Sequence, residues 1–349
     1  MSIRSVMLSA AVVAATLCAS GCATISKWKQ EHREASLHRK EEDEAAAAHA
    51  DPQAYQDTKR RMAQRNAQLR SLQAALARRG DADSLAASAL FSRAFQGYSS
   101  TASLDLATRA VAAAPARTDL AFMQLQLCET APQCDPAPLE SHLLQLDPQN
   151  GVVWTYVLMR ADRAKDPAAR ATAFYGLAQA RRIDLYWNQI VSHMVAAGAG
   201  TAGFDSNAAL TQVIGIEATF ALAFDPIAKL CLVPGLQPEM LDPCRQIAAA
   251  FRQGDTAVVE AYGSSLALHL WPAGSPERAE VAAERRRLRY RVELMNRNKT
   301  KLNSTQATRT LAGLVGHYPT EQTTYRAFYQ QLGLNPDPPD NWKDPLPGG

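Results

Sequence analysis

The sequence predicts an all-α protein built from αα-hairpins stacked one on the next. Apolar residues recur at helical spacing, in stretches of about 10 to 16 residues, from Asp83 onward. Short turns rich in Asp, Pro and Gly separate those stretches. Period-2 alternation is missing, as are Val-, Ile- and Thr-rich runs bounded by Asn-Gly or Asp-Gly turns, so no strand is expected. With 349 residues, 47% of them hydrophobic, the chain has enough apolar surface for a sizeable core. A formal net charge of +3 is near balance and asks for no nucleic-acid partner.

The N-terminal segment reads as an export signal. Met1–Ser5 carries one positive charge, Arg4; Val6–Leu17 is apolar; Ala19-Ser20-Gly21 is a run of small residues ending at Cys22. The apolar run is about a dozen residues, too short for a bilayer span of about 20. Ala19-Ser20-Gly21-Cys22 resembles the lipobox of bacterial lipoproteins, with Ala19 where that family usually has leucine. The resemblance implies that residues 1–21 are a signal peptide and that Cys22 carries the lipid. With Ala23 rather than aspartate next, it also implies an outer-membrane address facing the periplasm. Membrane lipid, through acylated Cys22, is then one partner.

Residues 22–50 are dense in charge of both signs and almost without an apolar stripe, and read as a solvated helical tether. Asp51-Pro52 is a helix start, an N-cap followed by proline in the first turn. The polar helix that follows should end at Arg78-Arg79-Gly80. Helix-pair units are expected near 85–113, 118–146, 152–182 and 186–222. Asp147-Pro148, Asp166-Pro167 and Gly254-Asp255-Thr256 mark their turns. Ser275-Pro276-Glu277 opens a basic helix with nine Lys or Arg against four Glu up to Lys301. Two shorter helices follow, near Ser304–Val315 and Thr320–Leu332. The Pro-, Asp- and Gly-rich tail, 335–349, reads as disordered.

Leu146-Asp147-Pro148-Gln149-Asn150, with Trp154 and then Phe174, resembles one degenerate tetratricopeptide repeat. Leu158 and Ala161 stand where that family has Gly and Tyr. The resemblance implies that residues 51–334 form a TPR-like solenoid with a concave face that binds peptides or proteins.

Cys128, Cys134, Cys231 and Cys244 form an even set, as disulfides in an exported protein would require. Four cysteines allow three pairings; proximity favours Cys128–Cys134 and Cys231–Cys244. A zinc site is the alternative, without a CxxC pair to favour it.

Candidate chemistry is sparse. GxSxG, HExxH, Walker and GxGxxG motifs are absent, so the chain is not expected to be an enzyme, and neither cofactor nor metal is expected. His32 and His38 read as solvated, and His193 and His269 as core residues. Glu217, in an apolar helix at 208–222, reads as a lone carboxylate. The strongest surface feature is the arginine cluster Arg285, Arg286, Arg287, Arg289 and Arg291, a candidate face for an anionic partner, with a solvated arginine face as the plain alternative. Trp154, Tyr156, Tyr186 and Trp187 could line a groove or fill the core. The expected function is an envelope-anchored, non-enzymatic helical scaffold that binds another envelope protein. The competing expectation is an immunity-type lipoprotein that blocks a toxin enzyme.

Overall fold

The computed structural model describes residues 51–344, apart from 97–100, 132, 200, 202–223 and 303. The signal segment 1–21, the tether 22–50 and the helix expected at 208–222, with Glu217, lie outside the described residues. So do His32 and His38. Among the described residues the chain forms fifteen helices and one isolated bridge, Asn150 to Arg182. The all-α expectation holds.

Helix α1 (Pro52–Arg79) begins where the sequence places it. The Asp51 carboxylate accepts from the Ala54 N–H at 2.9 Å, and Gly80 closes the helix in the left-handed conformation, φ 77°. Only its last three turns bury an apolar stripe, Leu69, Leu72 and Leu76; the described side chains before residue 69 are exposed or half-buried. That stripe packs on α2 (Ala82–Gln96), where Gln73 and Ser88 exchange two hydrogen bonds of 3.0 Å. Helix α2 is sandwiched between α1, α3 (Thr101–Ala113) and a helix a hundred residues on, α8 (Trp187–Gly198). Its small residues Ser84, Ala87, Ser88 and Ala89 sit with Leu85, Leu90 and Phe91 in the core, allowing close approach on several sides.

Neighbouring pairs continue through α4 (Thr118–Cys128) with α5 (Ala137–Leu146), and α6 (Val152–Ala164) with α7 (Pro167–Ala178). Helix α4 buries every residue from Asp119 to Cys128. Its one carboxylate is neutralised by Arg117, whose guanidinium grips Asp119 at 2.6 and 2.7 Å and reaches Asp83 at 3.0 Å. Asp166 caps α7, its carboxylate accepting from the N–H groups of Ala168 and Ala169.

After α9 (Asp225–Cys231), helices α10 (Pro238–Arg252) and α11 (Ala257–Leu270) form a closely packed pair. Gly263 makes this possible: a Cβ there would lie 2.5 Å from the backbone nitrogen of Arg252. Next come the basic helix α12 (Pro276–Arg297), α13 (Lys299–Leu302), α14 (Thr305–Leu314) and α15 (Glu321–Gln331). Ser275 caps α12 as expected, its hydroxyl accepting from the Arg278 N–H.

Cys128 is bonded to Cys134 and Cys231 to Cys244, with Cα–Cα distances of 5.3 and 5.6 Å. The first bond holds the end of α4 to the loop before α5; the second joins α9 to α10.

Two expectations are corrected. Of the tail 335–349 expected to be disordered, residues 335–344 are packed on α12, because their carbonyls and carboxylates meet the arginines there, and 345–349 lie outside the described residues. His193 and His269 are not core residues: His193 stands half-exposed 3.3 Å from the Asp83 carboxylate, and His269 is exposed. Of the aromatics weighed for a groove or the core, most fill the core. Tyr156, Tyr186 and Trp187 are buried, and half-buried Trp154 packs against Gly176, where a Cβ would come within 2.5 Å of the indole.

Candidate functional site

Two polar assemblies stand out, one inside the body and one on its surface. The inner one gathers turn residues from three parts of the chain. Asn150 reads the backbone of the α7–α8 turn: its amide donates to the Asp184 carbonyl at 2.8 Å, and its oxygen accepts from the Asp184 N–H at 2.9 Å. Asp147 accepts from Arg182 and from the Tyr186 hydroxyl, both at 2.7 Å. Tyr186 itself is left-handed, φ 55°, a strained state held by the bonds around it.

Asp255, in the turn between α10 and α11, is the centre. Its carboxylate accepts from the Leu185 and Trp187 N–H groups at 2.8 and 2.9 Å. Its carbonyl accepts from the Glu321 N–H at 2.8 Å. Glu321 returns the tie by accepting from the Ala257 N–H at 2.7 Å, capping α11. Asn188 donates to the Thr324 hydroxyl and to the Tyr318 carbonyl. One turn residue thus joins α8, α11 and α15.

Burial, and then the neighbouring Asp184 charge, push the Asp255 carboxyl well above the usual range. Burial likewise pushes Glu321 up to about 7, against the opposing Ala257 N–H. The donors to Asp255 are backbone groups of adjacent helix ends, so this assembly joins elements. Among the described residues no group of three or more His, Cys, Asp or Glu is placed to hold a metal. No described helix is long and apolar enough to cross a membrane.

The outer assembly contains the arginines singled out in the sequence. Helix α12 presents Val281, Leu288 and Leu294 inward, while its arginines turn to the flanks. Arg286 donates to the carbonyls of Pro339 and Trp342 at 3.0 and 2.9 Å, more weakly to Asp340 at 3.4 Å, and lies over the Trp342 ring at 5.3 Å. Arg289 pairs with Asp344 at 2.5 Å. Arg291 donates to Gln322 at 2.8 Å and faces Glu260; burial lowers its own affinity for a proton. Arg285 is half-buried and Arg287 exposed. The cluster is therefore not a bare cationic face.

Residues that sequence reasoning missed complete it. The Trp342 indole donates to Glu293 at 2.6 Å and meets Tyr290 edge-on at 5.4 Å, and Arg326 pairs with Asp337 at 2.7 Å. The readable signal was charge complementarity: three aspartates in 335–344 opposite an arginine-rich helix.

No protein-family model, no curated protein and no solved structure matches this chain.

Proposed function

We propose that the chain is an exported scaffold, held to the periplasmic face of the outer membrane through acylated Cys22, whose helical body binds another envelope protein. The observation that carries this reading is the placing of Cys22 after Ala19-Ser20-Gly21, at the end of a short apolar run. The two disulfides support it, since such bonds persist in oxidising compartments and are rare in a reducing cytosol. The succession of paired neighbouring helices supports a TPR-like solenoid. The return of α8 onto α2 departs from a stack in which each repeat touches only its neighbours.

Metabolic labelling with a palmitate analogue tests the anchor. Label is expected on the natural chain and absent from Cys22→Ala; no label, or equal label on both, overturns the reading. Proximity labelling from the anchored protein then tests the scaffold. Several envelope neighbours are expected, and recovery of one tightly bound toxin enzyme would replace the scaffold with an inhibitor.

A further inference from the structure

The segment 335–344 is bound the way a separate peptide would be bound. It has no helix or strand of its own, and only Pro336 is buried. Its prolines, 336, 338 and 339, restrict the backbone and lower the cost of holding it extended. Helix α12 grips it by backbone groups that any peptide possesses, through the fan of Arg286 bonds to carbonyls. Three side-chain positions add selectivity. An indole is received between the Arg286 guanidinium, the Tyr290 ring and the Glu293 carboxylate. A carboxylate two residues later is received by Arg289. A second acidic residue, Asp337, is held by Arg326 of α15.

We propose that this face of α12 is a receptor for an extended acidic peptide with a tryptophan two residues before an aspartate. The chain's own 335–344 segment is its resident ligand, and the matching segment of a partner protein displaces it. This deepens the scaffold reading, on which it rests for the existence of a partner. The contacts fit an exchangeable occupant. The Arg326–Asp337 pair is open to solvent and holds weakly, and the segment adds no helix or strand of its own to the body. The resident segment keeps the arginines from non-selective anions until a better-matched peptide arrives.

The experiment uses purified full-length chain free of lipid and a fluorescein-labelled peptide of residues 335–344, read by anisotropy. The Trp342→Ala/Asp344→Ala chain, with its own segment loosened, should bind the peptide at least about ten-fold more tightly than the natural chain, a difference of about 1.4 kcal/mol. Adding Arg286→Glu and Arg289→Glu should abolish that binding, as should replacing tryptophan in the peptide. Equal binding to the two chains, or none to either, overturns the proposal. A second measurement needs no variant to fold. In the natural chain carrying 5-fluorotryptophan, millimolar unlabelled peptide should move the Trp342 resonance toward its free position; an unmoved resonance overturns the proposal. Neither experiment involves the lipid, so failure here leaves anchoring untouched, and failed palmitate labelling leaves this receptor untouched.

Discussion

Asp255 and Arg286 do similar work under different conditions. Asp255 accepts from three backbone N–H groups, at Leu185, Trp187 and Glu321, and Arg286 donates to three carbonyls of the C-terminal segment. Asp255 is 4% exposed, whereas Arg286 is half-buried at the surface. Water can replace what Arg286 offers, but it has no access to what Asp255 offers. The inner assembly is therefore expected to carry stability, and the outer one exchange.

The largest effect should come from Asp255→Ala, which leaves two buried N–H groups without acceptors. A loss of about 3 kcal/mol or more is expected in urea unfolding; a loss as small as that of a surface variant would erase the distinction. The disulfides come next. Replacing Cys231 and Cys244 together with alanine should cost about 3 kcal/mol, and Cys128 with Cys134 about 2, because the second loop is shorter. Thermal melts of the two double variants decide that order.

Glu321 adds a pH signature. Its folded pKa is about 7, raised from an ordinary glutamate value of 4.5. The folded state therefore holds this proton more tightly than the unfolded chain does. Its stabilising contribution is full below about pH 4.5 and is lost as pH rises through 7. Glu321→Gln, which keeps an acceptor for the Ala257 N–H, should remove that slope, so that the variant gains on the natural chain by about 2.5 kcal/mol between pH 5 and 8. Parallel curves would show that the group is not desolvated. The smallest effect belongs to Trp342→Ala, which should cost under about 1 kcal/mol in global stability yet speed hydrogen exchange in 335–344. A large global loss would make the outer assembly part of the core.

Much of the helical frame was legible in the sequence because its signals are local. Asp51, Asp166 and Ser275 cap the helices they precede, and each disulfide joins cysteines of one short stretch. The inner assembly was not legible. Asp255 reads as an ordinary turn residue, and its partners lie near residues 185 and 321, a pairing that only the fold creates. The C-terminal segment misled for the opposite reason: its composition describes a chain without a core, and its order is borrowed from α12. His193 shows the limit of periodicity, since a position between apolar residues can still open onto Asp83 and solvent.

The unpacked length of α1 has a mechanical consequence. Some seventeen residues precede its first buried leucine, and at 1.5 Å per residue they make a rod of about 25 Å. Being helical rather than coiled, this rod transmits orientation as well as distance. Whatever residue 51 is tied to, the helical body stands off from it by about the width of a small domain, and turns with it instead of swinging freely.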